Sequence, residues 1–208
     1  MLFAMAFVTS ACAAAPKPVS PAKVEAPDPT SYLLHVDDRF NPADRALVVD
    51  AFMEWERDTR GVVKFNVSKR KWDSSKQAIP EPNVKCTYEV YVVHRSSKDN
   101  SVTSLEAKKE KELGRPFTVL GYAQSGCERR EVALVMDRLA NPVLLRNVAV
   151  HEAGHLVGLD HIPVPNESVM FPSMDKASLC PTALDMKQFC MLHKCDWHEM
   201  VSCPVPTR

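Results

Sequence analysis

His151 to His161 read HEAGHLVGLDH, and this stretch restricts what the chain can become more than any other. On an α-helix, His151 and His155 leave the same face about 5–6 Å apart, close enough for two imidazoles to grip one ion. Gly158 follows where a residue without a Cβ can take a positive φ, end the helix and turn the chain back. The turn delivers His161 as a third nitrogen ligand. Zinc takes histidine nitrogens and, in catalytic sites, commonly uses three protein ligands and leaves a fourth position for water. Glu152 then falls beside that water, where it can act as a general base. The plain alternative is an amphipathic core helix whose histidines are merely hydrogen-bonded, and the spacing of Gly158 and His161 speaks against it.

Met170 lies shortly beyond, within Ser168-Val169-Met170-Phe171-Pro172. HEAGHLVGLDH followed by SVMFP resembles the metzincin clan of zinc endopeptidases, and the Met-x-Pro ending is most similar to the matrixins. The resemblance implies an α+β catalytic domain: a twisted, mostly parallel sheet with an antiparallel edge strand, two long helices and a small C-terminal subdomain. It implies Zn²⁺ as cofactor, His151, His155 and His161 as its ligands, and Met170 as the hydrophobic floor of a Met-turn. It also implies hydrolysis of a protein or peptide substrate through a zinc-bound water, with Glu152 as the base. By position alone, Gly121, Tyr122 and Ala123 fall on the strand that pairs with substrate, since a peptide can add to a sheet edge by main-chain bonds. Two positions depart from clan patterns. Pro172 stands where some members carry a helper tyrosine, and Ile162 follows the third histidine.

Before this core comes an address. Met1 to Ala11 is an apolar run too short to span a bilayer and of signal-peptide size, although no Lys or Arg opens it. Thr9-Ser10-Ala11-Cys12 resembles a bacterial lipoprotein processing site, with Cys12 as the lipidated residue; the competing reading is simple secretion with cleavage after Ala11, Ala13 or Ala14. Residues 12–31 carry prolines among Ala, Lys and Ser and read as a tether, leaving residues 32–208 as one metalloprotease domain. The expected location is extracytoplasmic, as a cell-envelope lipoprotein or a secreted protein. The membrane would be touched only through a lipid on Cys12, and the domain is expected to be a monomer. Lys plus Arg and Asp plus Glu both number 26, so the balance offers no basic surface for nucleic acid.

Periodicity and caps predict strands at 32–36, 62–67, 88–94, 118–124 and 131–136. They predict a helix from Pro42 to about Arg60, the zinc helix from Pro142 to about Val157, and a last helix from Ala183 to Leu192. Ser96 to Gly114, with its alternating Glu and Lys, reads as a solvated helix face or loop. Asp160 is a candidate partner for an imidazole N–H, or simply a cap on the turn. Seven cysteines point to an oxidising compartment. With Cys12 set aside, Cys86, Cys127, Cys180, Cys190, Cys195 and Cys203 suggest three disulfides, Cys86 with Cys127 among them. A rival reading makes Cys190, His193, Cys195 and His198 a second zinc site. Two further alternatives stand for the chain as a whole: an amidase acting on cell-wall peptides, and a non-catalytic zinc-binding adhesion module.

Overall fold

Asn41-Pro42 and Asn141-Pro142 start the two long helices as local chemistry dictates. In a computed structural model that describes residues 30–80, 88–126 and 130–200, helix α1 spans Pro42–Asp58 and is capped by the Asn41 carboxamide, which accepts from the Asp44 N–H at 2.9 Å. The zinc helix is capped the same way by Asn141, which accepts from the Val143 N–H at 2.9 Å. Proline at the first helical position gives up an N–H that would have had no partner.

The strands are β1 (Thr30–Val36), β2 (Val63–Val67), β3 (Glu89–Arg95), β4 (Gly121–Ser125) and β5 (Arg130–Val135), and the remaining helices are α2 (Asn100–Leu113), α3 (Pro142–Leu156, the zinc helix) and α4 (Ala183–His193). The sheet order is β2-β1-β3-β5-β4, all neighbours parallel except β4, which runs antiparallel to β5 at the edge. This is the expected α+β arrangement of a mostly parallel sheet closed by one antiparallel strand.

Helices α1 and α3 cover one face of the sheet. Phe52 and Trp55 of α1, Leu34, Val92 and Leu134 of the strands, and Leu145 and Val148 of α3 bury completely or nearly so there. The Trp55 indole N–H donates to the Val150 carbonyl at 2.8 Å, fastening α1 to the zinc helix one residue before His151. On the other face, Trp72 packs edge-on against Tyr91 at 5.0 Å, and Val102 of α2 packs with Val119 and Val135. A cavity of about 140 Å³ between the sheet and the 70–80 segment, lined by His35, Trp72 and Tyr91, lies on this face. It has no part in the histidine centre.

Several boundaries differ from expectation. The charged 96–114 segment forms a helix whose only buried residue is Val102, as a solvated face requires. The strand expected from Thr118 begins only at Gly121, because its partner β5 ends at Val135 in a tight turn over Met136–Arg138, and the Phe117 and Val119 N–H groups donate instead to the Glu110 and Glu106 carboxylates of α2. Helix α1 stops at Asp58, and Arg60 and Gly61 both take positive φ, of 48° and 78°. The leader, the greater part of the tether, Cys12, Cys86, Cys127 and Cys203 lie outside the described residues. Cys190 and Cys195 form a disulfide, so their thiolates are unavailable and the second zinc site falls. His193 instead meets the Val157 carbonyl at 2.9 Å and stacks on Phe189. Cys180 is disulfide-bonded as well.

Asp58 ends α1 in an awkward place. Burial, reinforced by the Glu54 charge, pushes its carboxyl up to about 7, and the unpaired carbonyls at a helix C-terminus disfavour an anion further. The folded protein therefore keeps a proton that the unfolded chain releases above about pH 4. Stability from this group is present at low pH and is lost as the pH rises toward 7. Asp58→Asn should match the wild type near pH 4 and exceed it by about 2 kcal/mol at pH 8, measured as urea unfolding at both pH values. A variant with an unchanged slope between those values would contradict the assignment.

Candidate metal centre

His151 and His155 project from the last two turns of α3, and Gly158, with φ of 99°, reverses the chain just after the helix. The return strand is pinned where the Ile162 N–H donates to the Met170 carbonyl at 3.0 Å. This delivers His161 to the same point. The His161 Nε2 lies 3.3 Å from that of His151 and 3.2 Å from that of His155. Two nitrogens bound at 2.0–2.1 Å to one tetrahedral ion should stand about 3.3 Å apart, so the spacing suits zinc.

The second ring nitrogens settle the proton count. His151 Nδ1 lies 2.7 Å from the Val169 carbonyl, and His155 Nδ1 lies 2.7 Å from that of Leu159. A carbonyl only accepts, so each Nδ1 carries hydrogen and each Nε2 presents a lone pair. Two of the three converging Nε2 atoms are therefore acceptors, and a cation between them satisfies both. Burial, the largest influence, holds all three imidazoles below their ordinary pKa, His151 down to about 3. Neutral imidazole is the form that ligates metal. The Val169 and Leu159 carbonyls thus take the role considered for Asp160, which stays exposed and acts on His155 and His161 only through its charge.

Glu152 is 5% exposed, and burial pushes its carboxyl up to about 8. Its Oε2 has no hydrogen-bond partner among the described residues. An acid buried beside a ligand set without a structural partner is a mark of function rather than of folding. Gly121 of β4 lies directly against it, for a Cβ there would stand 3.1 Å from Glu152 Cγ and 2.9 Å from a Val148 methyl. The absence of a side chain lets the edge strand and the zinc helix approach at this point.

Met170 is fully buried. Gly154 makes room for it, since a Cβ there would collide with the Met170 sulfur and come within 2.9 Å of the Trp55 ring. Ile162 is buried in the core and serves the turn through its main chain. Of the positions expected to meet substrate, Gly121 and Ala123 face the zinc-helix side of β4, while the Tyr122 side chain turns to the opposite face of the sheet. The Val135 N–H donates to the Leu120 carbonyl directly opposite it, so Tyr122 turns its main-chain groups inward to β5 while Gly121 and Ala123 turn theirs outward.

One group of residues escaped the sequence reading. Asp185 is fully buried and accepts from the Ser168 hydroxyl at 2.5 Å, the Val169 N–H at 3.1 Å, and the Thr182 N–H and hydroxyl at 2.8 and 3.0 Å. Ser168 Oγ in turn accepts from the Met170 N–H at 2.9 Å. A carboxylate at the start of α4 thereby holds the whole Met-turn. Thr182-x-x-Asp185 is a capping-box pattern, and that was the available signal.

The family described as Matrixin matches residues 34–189. No curated protein matches the sequence. Among solved structures, archaemetzincin from Methanopyrus kandleri is 20% identical with a TM-score of 0.48, over 80% of this chain and 97% of that one. High choriolytic enzyme 1, a hatching-enzyme zinc-protease from the medaka fish Oryzias latipes, is 12% identical with a TM-score of 0.44, over 80% of this chain and 90% of that one.

Proposed function

Because the chain belongs to the matrixin family of zinc metalloendopeptidases, we propose that His151, His155 and His161 hold the zinc and that Glu152 is the general base for peptide-bond hydrolysis. The observation that carries this reading is the meeting of three Nε2 atoms beside a buried carboxyl group whose Oε2 has no hydrogen-bond partner among the described residues. Zinc held there supplies Lewis acidity toward a substrate carbonyl and toward water. The chain's own residues do the rest. Glu152 takes a proton from the attacking water onto its carboxylate and delivers it to the departing amine nitrogen, so that peptide and water leave as a carboxylic acid and an amine. A pKa raised by burial suits this exchange, because the group must both gain and release the proton near neutral pH. The Val169 and Leu159 carbonyls keep two imidazoles in the tautomer that faces the ion.

The substrate on this reading is an extended peptide laid along the outer edge of β4, where no strand among the described residues pairs with it. The disulfide between Cys190 and Cys195 supports an extracytoplasmic setting, since such bonds persist in oxidising compartments. Secretion or anchoring through Cys12, and action as a monomer, belong to the same proposal.

The test is made on purified, disulfide-intact protein. It should bind one equivalent of zinc, cleave casein, lose activity on chelation and regain it with zinc. His161→Ala should weaken zinc binding by more than the 10–100-fold typical of losing an outer partner of a ligand. Casein cleavage that persists in metal-free protein, or zinc affinity unchanged in His161→Ala, would overturn the reading.

A further inference from the structure

The edge strand is held from a side that the metal centre never touches. Tyr122 of β4 pairs across the ladder with Ala133, and Gln124 pairs with Glu131. The Tyr122 side chain therefore reaches diagonally, on the face away from α3, and its hydroxyl donates to Glu131 at 3.2 Å. Glu131 is 1% exposed and also accepts from Arg95 of β3 at 2.9 Å. The Tyr122 ring packs against both apolar clusters of that face, the one around Trp72 and Tyr91 and the one around Val102 and Val119.

We propose that Tyr122 is a positioning residue for substrate: bonded to the buried Glu131–Arg95 pair, it locks the edge strand in the plane of the sheet so that its outer main chain stays straight enough to pair with an extended peptide. Among the described residues β4 has only β5 as a ladder partner, and it spans Gly121–Ser125. A strand that short, bonded on one side, frays readily unless side chains hold it. A hydrogen bond to a buried carboxylate is among the stronger ones a neutral side chain can make. The charged helix α2, otherwise without a task, supplies part of the wall against which the tyrosine is clamped. The proposal rests on the reading that substrate pairs with β4.

Tyr122→Phe in the zinc-loaded, full-length protein is the test, since it keeps the ring and removes only the hydroxyl. The KM of an eight-residue peptide should rise about tenfold with kcat within about twofold, while a three-residue substrate, which spans too little of the strand, should change less than about twofold in either constant. Amide hydrogen exchange at Tyr122 and Gln124, whose main-chain groups face β5, should quicken by about tenfold, a readout that needs no activity. A merely structural role would depress both substrates alike, and that result, or exchange at the wild-type rate, would overturn the proposal. N-methylation of the long peptide along its non-primed side separates the two layers of inference. If the wild type is indifferent to it, pairing with β4 is itself wrong; if the wild type is sensitive and Tyr122→Phe behaves like the wild type, only the role of Tyr122 fails.

Discussion

Replacing Glu152 by alanine is expected to lower kcat on a peptide substrate by about 10²–10⁴-fold, the range that a positioned general base contributes, while one equivalent of zinc stays bound. The two effects separate because Glu152 is not among the imidazoles that converge, and its Oε2 has no hydrogen-bond partner among the described residues. Glu152→Gln should be as inactive, since the amide keeps the shape and loses the base. Stability should move the other way. Removing a buried, unpartnered carboxyl relieves a desolvation cost, so the alanine variant should melt no lower than the wild type. Turnover within threefold of the wild type, with zinc in place, would end the assignment.

Asp185→Ala is expected to cost about 3–5 kcal/mol of unfolding free energy, a large part of what keeps a domain of this size folded. Its carboxylate takes bonds from Ser168, Val169 and Thr182, all of which would be left buried without an acceptor. The damage should travel to the metal. Val169 gives its N–H to Asp185 and its carbonyl to His151, so a loosened turn frees the first ligand's ring and should weaken zinc binding about 10–100-fold. Urea unfolding and a competitive zinc titration measure the two effects. An unchanged denaturation midpoint would show that the network contributes nothing.

What could be read from the sequence was what local chemistry dictates. The helix starts at Asn41-Pro42 and Asn141-Pro142, the reversal at Gly158 and the face shared by His151 and His155 all depend on neighbours within a few residues. The parts that escaped depend on distant ones. The start of β4 moved because its partner β5 turns away after Val135, leaving Thr118 and Val119 no ladder to join. Asp185 looked like an ordinary first-turn acid, and its partners in the Met-turn lie 16 and 17 residues earlier. Tyr122 could not be assigned a direction, because a sheet covered on both faces buries successive side chains on either side and leaves no polar alternation to read. Cys190 and Cys195, spaced plausibly for a metal, joined each other across the end of α4 instead.

The brevity of β4 has a bearing on self-association. A sheet margin that welcomes extended main chain of many sequences is also a template for other copies of the same protein, and aggregation through such margins is a common failure of β-structure. Here β4 ends in the exposed, polar Gln124 and Ser125, and the opposite margin, β2, is equally short and shows Lys64 and Asn66 to solvent. Among the described residues, neither rim offers a long apolar strip on which a fibre could grow.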